Sequence, residues 1–119
     1  MIIMKKGPEK IIQEKIEALL RAYGWYVIRT HGNMFQSGFP DDFACHSRYG
    51  QRWVEIKDPL RKGDVFTPAQ HETFPKLCAN GSGVWVLTAA TDAEYQKLFD
   101  RPNWYLYLNV FASVRGLGR

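Results

Sequence analysis

Cysteine and histidine are scarce in this sequence, and neither is spaced as a metal site would space them. Cys45 and Cys78 are the only cysteines, too few and too far apart for a disulfide framework or a zinc-type pair. Both sit in apolar stretches, which predicts buried thiols in a reducing compartment. His31, His46 and His71 show no ligand spacing, which argues against a zinc centre. No apolar run approaches the ~20 residues of a membrane-spanning helix. The opening Met1-Ile2-Ile3-Met4-Lys5-Lys6 is too short for a secretory hydrophobic region. A soluble, intracellular (cytoplasmic) protein without a membrane partner is expected. Repeats, linkers and low-complexity tracts are missing too, so residues 1–119 are expected to form a single domain.

What is present suits a globular α/β protein. The chain is 45% hydrophobic and 24% charged, with four Trp, six Tyr and seven Phe, so disorder is not its expected state. Sixteen Lys and Arg against twelve Asp and Glu leave a net charge of +4, a modest bias towards a polyanionic partner such as nucleic acid.

Hydrophobic periodicity and caps predict the element order αβββαβαβ. Pro8 and Glu9 open a helix carrying Ile12, Ile16, Leu19, Leu20 and Tyr23 at helical spacing, and Gly24 closes it. Residues 25–31 read as a strand, followed by a loop from Gly32 to Pro40. Phe43–His46 and Arg52–Lys57 form a hairpin around Tyr49-Gly50. Thr67-Pro68 caps a helix reaching about Asn80, which Pro75 should kink or split. Val84–Leu87 reads as a buried strand, Thr91 caps a third helix, and Trp104–Val110 alternates like a last strand. Such mixing implies a mixed central sheet with helices on both faces.

Within Trp53-Val54-Glu55-Ile56-Lys57, alternation places Trp53, Glu55 and Lys57 on one sheet face and Val54 and Ile56 on the other. Trp53 shares the catalytic face by this alternation, and aromatic packing under the first helix explains it equally well. Hairpin pairing brings Asp41 to the Glu55–Lys57 end, with the neighbouring Asp42 as its competitor. Two carboxylates and a lysine at one sheet edge match phosphodiester hydrolysis. Carboxylate oxygens hold Mg²⁺ or Mn²⁺, the ion polarises the phosphate and acidifies water, and the lysine orients that water and offsets transition-state charge. At ~100° per residue, Glu9 heads the stripe of Ile12, Gln13, Ile16, Leu20 and Tyr23, while Glu14 falls off it among Lys10, Glu17 and Arg21. In the second helix Gln70 heads the stripe of Phe74 and Leu77. Glu9 and Gln70 also have plainer readings, as a helix-terminal acid and a first-turn polar residue.

Gly38-Phe39-Pro40-Asp41 followed by Glu55-Ile56-Lys57 resembles the G-x-P-D and E-x-K signature of the PD-(D/E)XK nuclease superfamily. Glu9-x-x-Ile12-Gln13, Gly24 and Thr67-Pro68-Ala69-Gln70 narrow the resemblance to the VRR-NUC family, similar to archaeal Holliday junction resolvases. It covers about Glu9 to Phe99 and implies a restriction-endonuclease-like core. It also implies Asp41, Glu55 and the Ile56 carbonyl as ligands of Mg²⁺ (Mn²⁺ substituting), Glu9 acting on a ligand water, Lys57 orienting the attacking water and Gln70 supporting the site. The family usually has an apolar residue where this chain has Asp42.

A Mg²⁺-dependent DNA endonuclease acting as a C2 homodimer on branched DNA is the expectation from this resemblance. Trp104-Tyr105-Leu106-Tyr107-Leu108 is its candidate interface. Arg48, Arg52, Arg61 and Lys62 are expected to flank the site and hold phosphates, and His31 and Asn33 to reach DNA from the loop. The alternatives are a flap, nick or plain duplex nuclease of the same fold, or a DNA-binding module without the chemistry.

Overall fold

A computed structural model describes residues 7–30, 38–60 and 66–108. His31, Asn33, Arg61 and Lys62, four of the expected DNA contacts, lie outside the described residues.

Helix α1 (Pro8–Ala22) starts with Pro8 in its first turn and ends at Tyr23, with Gly24 following at φ +92°. Strands β1 (Tyr26–Arg29), β2 (Asp42–His46) and β3 (Gly50–Ile56) come next. Helix α2 (Pro68–Ala79), strand β4 (Val84–Leu87), helix α3 (Asp92–Gln96) and a 3₁₀ turn (Lys97–Phe99) complete the order as far as Phe99. The sheet runs β1-β2-β3-β4, antiparallel except for the parallel pair β3–β4, which α2 bridges as a crossover. The mixed sheet with flanking helices is therefore as expected, with one exception at its end.

Residues 104–108 are helical, not the fifth strand that their alternation suggested. Asn103 supplies the physical reason. Its side-chain amide accepts from the Val86 N–H at 2.6 Å and donates to the Val86 carbonyl at 3.1 Å. The amide thus takes the edge position on β4 that another strand would need. Trp104 then turns into the core against Phe66 and Phe74, so the segment proposed as an interface strand is partly committed to packing.

Alternation along β3 and β4 divides the interior. Val54, Ile56, Trp85 and Leu87 pack with Ile16 and Leu20 of α1 and with Tyr95 and Leu98. On the other face Val84 and Val86 pack with Phe66, Phe74 and Trp104, and Trp53 joins them. Trp53 therefore faces away from α1, contrary to expectation, and meets Phe39 and Phe43 instead. Helix α2 continues through Pro75, whose ring is on the exposed side, held by its capped first turn and buried Phe74 before the proline and by the packed Leu77 after it. The two cysteines are half-buried rather than buried, and Cys78 Sγ accepts from the Trp104 indole. Among the described residues no helix is long and apolar enough to cross a membrane.

Gly38 has no room for a side chain. Its φ is +93°, and a Cβ would lie 2.6 Å from both the Ala69 carbonyl oxygen and Thr73 Oγ1 of α2. Gly38→Ala is expected to destabilise the protein by about 2 kcal/mol or more, read as a lower denaturation midpoint with an unchanged slope. A midpoint equal to the parent's would mean that α2 yields without cost.

Candidate active site

The β2–β3 register separates the two aspartates. Asp42 pairs with Val54, so Asp41 stands across from Glu55, and Asp41 and Asp42 point to opposite faces. Asp41 Oδ2 accepts from the Ile56 N–H at 2.8 Å, and the Asp41 N–H donates to Glu55 Oε1 at 3.1 Å. Lys57 Nζ lies 2.9 Å from Glu55 Oε2, which also accepts from Gln70 Nε2 at 3.0 Å. Asp41, Glu55, Lys57 and Gln70 thus form one constellation, with Glu55 and Lys57 almost wholly buried at 1% and 4% exposure. A strand residue turns its N–H and C=O to the same neighbour, so the Ile56 carbonyl is directed to the Asp41 side.

Gln70 does two jobs. Its Oε1 accepts from the Thr67 N–H while the Thr67 hydroxyl accepts from the Gln70 N–H, closing a capping box at the start of α2. The amide nitrogen left over is the one that holds Glu55. Glu9 is brought to the same end of the sheet, where its Oε2 meets the Asp58 N–H at 3.4 Å and its charge acts on Asp41.

Sequence reasoning missed Phe66. Its ring centroid lies 5.5 Å from Lys57 Nζ, so the ammonium rests between an aromatic face and a carboxylate. The apolar residue just before the Thr67 cap, where a staple residue belongs, was the available signal; it packs on His71 at 5.8 Å between centroids.

Burial pushes Glu55 up to about 8, helped by the negative charge of Asp41 and opposed by Lys57 and Gln70. Burial likewise raises Asp41, against the Ile56 N–H and the Lys57 charge. Two carboxyls raised by burial, with the Asp41 charge further disfavouring ionisation of Glu55, suit a divalent cation, which would relieve both. Among the described residues no group of three His, Cys, Asp and Glu side chains is placed to hold a metal. Two carboxylates and a carbonyl are a hard-oxygen set, suited to an ion such as Mg²⁺ that keeps waters and meets substrate phosphate.

Asp42 belongs to a separate network against α1. Gln13 Nε2 donates to its Oδ1 at 3.1 Å, and its Oδ2 is fully buried without a donor. Glu17, expected off the buried stripe, is 2% exposed and forms a bidentate pair with Arg29. Burial pushes Glu17 up, but its bonds to Arg29 and Asp42 and the Arg29 charge prevail and hold it below its ordinary value. Burial, then Glu17, pushes Asp42 up to about 8. A carboxyl so raised holds its proton to higher pH than an ordinary aspartate, and that proton would be the donor towards Glu17. A carboxyl raised from 3.8 to about 8 adds stability that is full below pH ~4 and is lost as pH rises through ~8. Asp42→Asn, which keeps the shape and a donor towards Glu17, is expected to raise Tm at pH 8 by at least ~4 °C and to leave it unchanged near pH 4. Equal Tm values at both pH values would remove the shared proton from the account.

The two described arginines expected beside the site are elsewhere. Arg48 is in the hairpin turn, about 20 Å from Glu55 at ~3.3 Å per strand residue. Arg52 lies on the opposite face, donating to the carbonyls of Leu98, Tyr49 and Gln51 and stacked 4.9 Å from the Trp85 ring. Neither flanks the carboxylates, because one is at the wrong end of β3 and the other on the wrong side.

No protein-family profile and no curated protein matches the chain. A solved structure described as a VRR_NUC domain does, with a TM-score of 0.56 over 74% of this chain and 91% of that one, at 23% identity. The chain has the VRR_NUC fold. That fold places Asp41, Glu55 and Lys57 together at the end of β2 and β3, with Gln70 of α2 behind them.

Proposed function

We propose that this VRR_NUC-fold protein is a metal-dependent DNA endonuclease that hydrolyses phosphodiester bonds. The observation that carries the reading is the cluster of half-buried Asp41 with buried Glu55 and Lys57, in which the Asp41 carboxylate is fixed by the Ile56 N–H and the Glu55 carboxylate by the Asp41 N–H. A surface ion pair does not need such fixing. Asp41, Glu55 and the Ile56 carbonyl would hold Mg²⁺, with Mn²⁺ as substitute, and Glu9 would bear on it through water. When bound, the ion supplies Lewis-acid polarisation of a phosphate oxygen and acidification of water.

The remaining work falls to the chain. Lys57 presents an ammonium to the attacking water and to the charge that grows on the phosphate. Gln70 and Lys57 together keep Glu55 aimed, and Phe66 shields the ammonium from bulk solvent. The excess of basic residues, +4 net, favours a polyanion.

Branched DNA as substrate and a C2 homodimer as the active form extend this reading by likeness to resolvases. Arg48 and Arg52 are remote from the site, and phosphate contact by Arg61, Lys62, His31 and Asn33, which lie outside the described residues, remains part of the proposal. The test is cleavage of junction, flap, nicked and linear duplex DNA with and without Mg²⁺, alongside sedimentation velocity. Mg²⁺-dependent cutting of the junction by a dimer is expected. Cutting of linear DNA alone would end the resolvase part, and binding without cutting would leave a DNA-binding module.

A further inference from the structure

The geometry points to Thr30 as a positioning residue for the Asp41 carboxylate, an assignment that rests on the metal-dependent reading above. Thr30 directly follows β1. Its N–H donates to the Asp41 carbonyl at 2.9 Å, and its hydroxyl oxygen is 3.0 Å from that carbonyl and in contact with the Pro40 carbonyl. The Asp41 N–H is turned the other way, to Glu55 on β3. Asp41 is therefore suspended between two strands, its carbonyl tied to β1 and its N–H and carboxylate to β3. The position of its carboxylate depends on both ties.

Any residue but proline at position 30 offers the N–H, whereas a short hydroxyl is particular to Thr or Ser. Pro40 is fully buried, and the donor that its carbonyl meets is that hydroxyl. Removing the donor leaves a buried acceptor unpaired, and the Pro40-Asp41 segment must shift to find another. A small shift matters, since Mg²⁺ demands near-ideal octahedral geometry at ~2.1 Å. Thr30 touches Asp41 only through the backbone, so it acts on the ion through Asp41.

The experiment compares Thr30→Val, Thr30→Ala and Thr30→Ser with the parent. Three quantities are read: Mn²⁺ affinity by calorimetry without DNA, the Mg²⁺ midpoint of cleavage with the rate at saturating Mg²⁺, and Tm. Thr30→Val is expected to weaken Mn²⁺ binding about tenfold, the low end of the range for groups that orient a ligand. Its Mg²⁺ midpoint should rise by the same factor, with most of the rate recovered at saturation. Thr30→Ser should stay within about twofold of the parent because it restores the donor. A lower Tm with unchanged Mn²⁺ affinity and Mg²⁺ midpoint overturns the assignment and leaves a structural hydroxyl. If neither Val nor Ala folds while Ser does, the hydroxyl serves the fold and the assignment also fails. A parent that binds no Mn²⁺ overturns the nuclease reading itself, and this inference with it.

Discussion

Lys57→Met is expected to slow DNA cleavage by at least ~10³-fold, the upper end of the loss when one preorganised donor is removed from a transition state, while the domain stays folded. Methionine keeps the apolar stem against Phe66 and deletes the ammonium. Two losses then combine. The positive charge facing the attacking water and the phosphate disappears. Glu55 also loses the partner that favours its ionised form, so its pKa rises further and ionising it for the metal takes a higher pH. The measurement is a single-turnover rate at saturating Mg²⁺, with Tm recorded beside it. A variant that cuts as fast as the parent would falsify the role given to Lys57. Partial recovery of the rate at higher pH would show that part of the loss runs through Glu55.

Glu55→Gln is expected to abolish the metal response and, without metal, to make the protein more stable than the parent at pH 8. The sign follows from the shift. A carboxyl raised from 4.5 to about 8 contributes stability that is complete below ~4.5 and is lost as pH rises through ~8. The metal-free parent therefore weakens across that window. Cation binding requires the ionised carboxylates, so affinity rises with pH over the same range. Mn²⁺ should raise the parent's Tm little at pH 6 and by several degrees at pH 8.5. In Glu55→Gln both effects vanish, because the amide neither ionises nor binds a hard cation well. An equal Mn²⁺ shift in the variant and parent would place the ion elsewhere. The expected pattern is that of a site kept at some cost to stability.

Strand alternation alone placed Glu55 with Lys57, and the structure keeps them 2.9 Å apart. Such pairs are legible because the period of a strand is local. The choice of Asp41 over Asp42 needed the register, which a one-residue slip would have reversed. Gln70 was readable as the head of a buried stripe, but not its shared use in a cap and in the site. Glu17 was misplaced because helical phase treats a helix as having one buried face. Its burial depends on Arg29 of β1, an ion pair formed across elements. Residues 104–108 failed for a related reason. Alternation of aromatic and aliphatic residues is compatible with strand or helix, and the outcome was set by Asn103 bonding to Val86, 17 positions away. Arg48 and Arg52 seemed near the site because they are near it along the chain, and a hairpin turns that proximity into distance.

Gln70 limits how this protein can be redesigned. A Glu at the third position of a helix closes a capping box as well as Gln does, and would ordinarily be preferred for its charge near the helix start. Here the same side chain must donate to Glu55. Glutamate at position 70 would close the cap and set a third acid against two carboxyls already reluctant to ionise. Helix grafts or consensus-guided libraries that treat the two residues as equivalent would therefore yield well-folded proteins with a silent centre. Position 70 is best held fixed when α2 is exchanged between relatives of this fold.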